Sequence, residues 1–124
     1  MKMKKVNLSI SLITQSEHQE YNLTGEIDEN NNRLTYVEPS TNIRTVIDRS
    51  AKRIIRESDH YRMILYFNEE ERVEIILKVE AKMLEVKIKT LIYESNENHF
   101  HVKYQLIEAN EEVEYIIDSD EVKE

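Results

Sequence analysis

Apolar residues occupy every second position along most of the chain, and this period of two constrains the fold more than any other feature. Val6, Leu8, Ile10 and Leu12 alternate with Asn7, Ser9 and Ser11. In an extended strand the first set shares one face and the second set the other. The pattern recurs at Tyr21, Leu23, Gly25 and Ile27, at Leu34 and Tyr36, at Ile43, Thr45 and Ile47, and at Ile54 and Arg56. It continues through Tyr61, Met63, Leu65 and Phe67, through Val73, Ile75, Leu77, Val79 and Ala81, and through Leu84, Val86, Ile88, Thr90 and Ile92. Phe100, Val102, Tyr104 and Leu106, and then Val113, Tyr115 and Ile117, complete about ten segments.

Short polar connectors such as Asp28–Asn32, Glu38–Asn42 and Glu108–Glu112 separate them. A turn signal this frequent marks an all-β sandwich or barrel. Connectors this short join antiparallel neighbours, because parallel strands need a crossover of a dozen residues or more. The expected fold is therefore all-β, a single antiparallel up-and-down barrel of about 8–10 strands, because closure removes the exposed edges of an open meander. At 124 residues the chain fits one domain, 1–124, with 118–124 expected to be a frayed acidic tail.

Two stretches speak less clearly. Glu69–Ile92 is rich in helix formers, but period two accounts for more of its apolar positions, so two strands joined near Glu80–Met83 are predicted. Ser50–Glu57 is compatible with one or two helical turns. With one glycine and one proline in the chain, turns must rely on Asn, Asp and Ser chemistry.

Charge narrows the partners. A net charge of −8 repels phosphate backbones and anionic membranes at long range. No apolar run reaches the roughly 20 residues that span a bilayer. With no cysteine, the chain has no disulfides, thiolate catalysis or cysteine zinc sites, which fits a reducing, cytoplasmic compartment.

Leu23-Thr24-Gly25, Leu34-Thr35-Tyr36-Val37-Glu38 and Thr45-Val46-Ile47 stand in a fixed order along the chain. Arg56, Met63, Phe67, Lys89-Thr90, Tyr104 and Tyr115 follow them. With these features, from about Val6 to Ile117, the chain resembles the YwiB-like family of small uncharacterised bacterial proteins, a domain of unknown function. The resemblance implies a calycin, or lipocalin-like, barrel and supplies no activity. Where that family tends to place a glycine after the arginine, this chain reads Arg56-Glu57-Ser58-Asp59-His60, so that turn is expected to differ.

Parity also nominates a site. If the apolar face points inward, Glu38 lies with Tyr36, Thr45 with Ile47, Arg56 with Ile54, and Thr90 between Ile88 and Ile92. Tyr21, Tyr36, Tyr61, Tyr104 and Tyr115 join them. A charge inside a barrel must be paired and hydrogen-bonded. Arg56, Glu38, Thr45, Tyr36, Tyr61, Thr90 and Tyr104 therefore either line a ligand cavity, with Arg56 meeting an anion, or include an Arg56–Glu38 pair that closes one barrel end.

The remaining clusters have plainer readings. Arg44, Arg49, Lys52, Arg53 and Arg56 form a basic cluster without interleaved aromatics, read as a solvated hairpin face. His99 and His101 share an outward strand face; no metal site is expected, since His18 or His60 could complete one only by tertiary accident. Asp28–Asn32 lacks the glycine and spaced glutamate of a calcium loop. There is no nucleophile elbow, phosphate loop or acid-pair motif, so no catalytic residue and no cofactor are expected. Two functions stay open: a non-enzymatic carrier of a small apolar or anionic ligand, or a protein–protein interaction module with a filled core. Ile64, Tyr66 and Ile76, apolar on an outward face, would serve the second or a homodimer.

Overall fold

The computed structural model describes residues 3–39, 41–68 and 70–121. Ten antiparallel strands close into a barrel in which every strand pairs with its sequence neighbours and β1 pairs with β10. They are β1 (Met3–Ile13), β2 (His18–Asp28), β3 (Arg33–Val37), β4 (Arg44–Asp48) and β5 (Arg53–Glu57). The second half comprises β6 (Tyr61–Tyr66), β7 (Arg72–Leu77), β8 (Lys82–Ser95), β9 (His99–Leu106) and β10 (Glu111–Glu121). The inward set predicted from parity forms the core: Val6, Leu8, Ile10, Leu34, Ile47, Ile54, Leu65, Phe100, Val102, Tyr115 and Ile117 are all buried.

The barrel is one continuous sheet in which two long strands change partner at a corner. Residues 82–87 of β8 pair with β7, whereas 88–95 pair with β9. A bulge just beyond the switch, between Thr90 and Ile92, lets the strand turn. The second corner is in β2. Residues 18–28 pair with β1, but only 26–28 also reach β3.

Gly25 stands at that corner. A Cβ there would lie 2.6 Å from Leu8 Cδ1 and 2.8 Å from the Thr35 carbonyl oxygen, so the chain's single glycine is where two backbones come too close for a side chain. Leu8 can rotate away, but the Thr35 carbonyl cannot. Gly25→Ala is expected to destabilise the barrel by about 1–3 kcal/mol, as overpacking does. Urea unfolding measures it, and a wild-type midpoint would show that the corner has slack.

Elsewhere the turns do without glycine. Asn32, Asn42, Lys52, Glu70, Ala81 and Asn110 each take positive φ in a separate inter-strand turn. Asparagine tolerates this conformation, whereas Lys52, Glu70 and Ala81 hold it under strain.

Three expectations need correction. The bulge shifts parity in the second half of β8, so Tyr93 rather than Ile92 shares the inward face with Val102. Ser50–Glu57 contains no helical turn; it is the end of a tight turn followed by β5, whose Ile54 is fully buried. The end of the chain does not fray at 118, because β10 runs to Glu121 in register with Val6 and Ser119 is buried. The rest of that proposed tail, 122–124, lies outside the described residues. The β7–β8 turn falls at 78–81, close to the predicted joint.

Candidate functional site

Strand register places Tyr36, Thr45, Arg56 and Met63 side by side across β3, β4, β5 and β6. All four have inward parity, so the row crosses the inner wall near the β3–β4 and β5–β6 turns. Glu38 stands two residues beyond Tyr36 on the same face and is buried. Its backbone frames the turn, donating to the Ile43 carbonyl at 2.9 Å and accepting from the Asn42 amide at 3.0 Å.

The two charges meet. Arg56 Nη2 donates to Glu38 Oε1 and to Oε2, both at 2.9 Å, and the Thr41 hydroxyl donates to Oε2 at 3.1 Å. The Arg56 and Glu38 side chains are only 15% and 4% exposed, so this pair is largely withdrawn from water. Burial opposes the guanidinium charge, but the Glu38 carboxylate bonded to it outweighs that cost and holds Arg56 above its ordinary range. The pairing expected for a barrel-closing role is thus in place.

The row is not fully satisfied. Tyr36 Oη, Thr45 Oγ1 and Arg56 Nε are all buried without a hydrogen-bond partner. Thr90 Oγ1, Tyr93 Oη, Arg49 Nε and Arg53 Nε are buried without a partner elsewhere, so what sets this row apart is adjacency: the register makes the three neighbours, and the Tyr36 and Thr45 hydroxyls lie close enough to influence each other. One carboxylate engages one terminal nitrogen of Arg56, while a guanidinium offers five N–H donors. Burial also pushes the Tyr36, Tyr104 and Tyr115 hydroxyls above their ordinary range, so they act as neutral phenols. Towards the adjacent rim, half-buried Leu12, Tyr21, Met63, Ile75, Leu106 and Val113 pack against the core.

The other predicted residues divide. Tyr61 is half-buried on β6 and lies close enough to Arg56 to influence its charge. Tyr104 is buried; it feels the Arg56 charge and packs against Phe67 at 5.7 Å. Tyr21 turns its hydroxyl to Gln19 Oε1 at 2.6 Å and takes no part. Thr90 sits at the β8 corner, its amide donating to Glu71 Oε1 at 3.0 Å, and shares no hydrogen bond with Arg56. Tyr115, inward by parity with the other tyrosines, is buried beside Arg56. Thr41 is the participant that sequence reasoning missed, because its position in a turn gave no sign of contact.

The opposite end is filled by aromatic rings. Tyr93 packs edge-on to Phe100 at 5.6 Å and against Phe67 at 5.9 Å, with the Lys52 ammonium 5.7 Å above its ring. The basic cluster is therefore not a plain solvated face. Arg49 is half-buried, and burial draws its guanidinium below the ordinary arginine range, while Arg33 and Arg53 flank the buried Asp48 at 3.3 and 3.7 Å. The outward Ile64, Tyr66 and Ile76 are half-buried, and the Arg72 guanidinium stacks 4.0 Å above the Tyr66 ring. Asp28–Asn32 is the expected turn, closed by the Asn30 and Asn31 amides donating to Asp28 Oδ1 at 3.2 and 3.3 Å.

Fold and site together define an all-β protein, a closed ten-stranded antiparallel barrel consistent with the lipocalin or calycin-like architecture, carrying a buried arginine–glutamate pair inside. A family model described as a domain of unknown function, DUF1934, matches residues 5–117, and the chain belongs to that family. No curated protein and no solved structure matches the chain. Among the described residues, no helix is long and apolar enough to cross a membrane.

Proposed function

We propose that this is a non-enzymatic binding barrel of calycin-like type, a bacterial cytoplasmic protein of the YwiB-like group, that accepts a small anionic ligand at the Arg56 end. The observation that carries this reading is the row of buried, unpartnered polar atoms: Tyr36 Oη, Thr45 Oγ1 and Arg56 Nε. A carboxylate or similar anion could accept from Arg56 Nε and from both hydroxyls at once, while Glu38 fixes the guanidinium in advance. The half-buried apolar rim would cover the ligand's remainder. Ten strands give a wider interior than the eight that side chains just fill, but the core is closely packed, so the ligand is small. The lack of cysteine supports the cytoplasmic placement.

Thermal unfolding against a library of small carboxylates and other metabolites, with native mass spectrometry on the same sample, tests this. A true ligand at saturation should raise Tm by a few degrees; the shift should vanish in Arg56→Gln, with circular dichroism checking that this variant folds, and should shrink in Thr45→Val, which leaves the Arg56–Glu38 pair intact. A library without hits and a mass showing only bare protein would defeat the reading.

A second reading, an interaction module, has its own observation. Lys82–Val86 of β8 pairs only with β7, leaving the other edge of that segment without a strand, while the Lys87 carbonyl accepts from the Ile107 amide at 3.2 Å. Val79, Met83, Leu84 and Ile107 are exposed apolar residues near this edge. An added strand from a second copy would use both features. Sedimentation that shows a dimer in the native chain and a monomer in Leu84→Lys would favour it over the carrier.

A further inference from the structure

On the opposite side of the barrel wall, we infer that Glu94, His99 and His101 form a binding site for a divalent transition-metal ion of the zinc class. His99 and His101 lie two apart on the outer face of β9, and the register of β8 sets Glu94 directly opposite His101. One ligand atom from each of the three lies within 4.8 Å of the others. Around a tetrahedral zinc with bonds near 2.1 Å, ligand atoms stand about 3.4 Å apart. Glu94, 66% exposed, is free to close that gap.

A second feature separates this cluster from casual surface pairs. Each imidazole already gives one nitrogen to a carboxylate on the neighbouring strand β10. His99 Nδ1 lies 2.5 Å from Asp118 Oδ1, and His101 Nε2 lies 2.5 Å from Glu114 Oε2. A carboxylate only accepts, so the facing nitrogen carries the proton and the other nitrogen is left with a lone pair for a metal. For His101 that nitrogen is Nδ1, the one facing Glu94 Oε2 at 3.9 Å. Carboxylates that fix the tautomer and raise the basicity of ligating histidines are the usual surroundings of protein metal sites. The His101–Glu114 pair is about 20% exposed on each side, so it is held within the wall rather than waving in solvent.

Two imidazoles and one carboxylate suit zinc or its first-row neighbours better than magnesium or calcium, which prefer oxygen alone. Three protein ligands leave a fourth position for water or a partner's side chain. Glu94, Glu114 and Asp118 set negative charge around the ion, and Lys103 is engaged by Glu112 at 3.5 Å.

Calorimetric titration of the untagged chain with zinc chloride tests the site. One ion per chain should bind with Kd below about 10 μM. His101→Gln and His99→Gln should each weaken binding about 100-fold or more, and Asp118→Asn, which touches no metal, about 10- to 100-fold. Ring-nitrogen NMR of the wild type should show the metal on His101 Nδ1 and His99 Nε2. Circular dichroism checks that each variant is folded, and Glu94→Gln, on an exposed side chain, gives a second reading if one is not. A Kd weaker than about 0.1 mM, an affinity indifferent to the histidine substitutions, or the metal on the nitrogens that face Asp118 and Glu114 overturns the inference.

Discussion

Glu38→Ala is expected to lower the stability of this barrel by about 3–5 kcal/mol, as loss of one partner from a buried ion pair does. A domain of this kind has about 5–15 kcal/mol in total, so a large share would go. The reason lies with Arg56. Its side chain is 15% exposed, and Glu38 is the carboxylate it pairs with. Without Glu38 the guanidinium stays charged among Tyr36, Tyr115 and Met63, largely withdrawn from water and unable to give up its proton. Glu38→Leu with Arg56→Met should recover most of the loss, because a matched apolar replacement removes both desolvation penalties. Urea midpoints of the three proteins decide the matter. A loss below about 1 kcal/mol in Glu38→Ala would mean that water reaches Arg56 and that the pair does not close the wall.

Above pH 10 the fold should become steeply less stable. Tyr36, Tyr104 and Tyr115 are 2%, 5% and 2% exposed, and burial raises all three hydroxyls above their ordinary value. The sign follows from which state loses protons first. Below pH 10 both folded and unfolded chains keep these protons, and stability does not change with pH on their account. As pH rises through 10, the unfolded chain releases protons that the folded chain retains, so unfolding is favoured. Each tyrosine contributes about 1.4 kcal/mol per pH unit, or about 4 for the three together, until the folded-state values are reached. Phenolate absorbance followed with circular dichroism gives the test. Three of the seven tyrosines should stay silent until secondary structure is lost. Smooth titration of all seven in a folded chain would show that water enters the interior.

Alternation made the inner wall legible before any coordinates. It put Tyr36, Glu38, Thr45 and Arg56 on one face, and tight hairpins then forced Tyr36, Thr45 and Arg56 into adjacent register, since a short turn leaves little freedom of pairing. Parity is a local rule, however, and one inserted residue reverses it. The bulge beside Leu91 did so in β8, turning Ile92 outward and delivering Tyr93 to the aromatic plug. Nothing in the residues around Leu91 announces a bulge, because no glycine marks it. The meeting of Glu94 with His101 was hidden for a related reason. It depends on the register of β8 against β9, which the bulge helps to set. Thr90 illustrates the limit from the other side: its parity was right, but position along the barrel axis placed it at the corner, away from Arg56.

The seam between β1 and β10 has a further consequence, for how the chain is made. Every other pairing joins strands adjacent in sequence, which form quickly because little chain must be brought together. The seam alone unites residues more than a hundred positions apart, such as Val6 and Glu121. During synthesis, the nine earlier strands can leave the ribosome and zip in order while the free edge of β1 waits for β10 to emerge. Over that interval a second nascent copy offers the same β10 strand, so crowded translation favours exchange of the final strand between chains. A bound chaperone would protect the waiting edge over that interval.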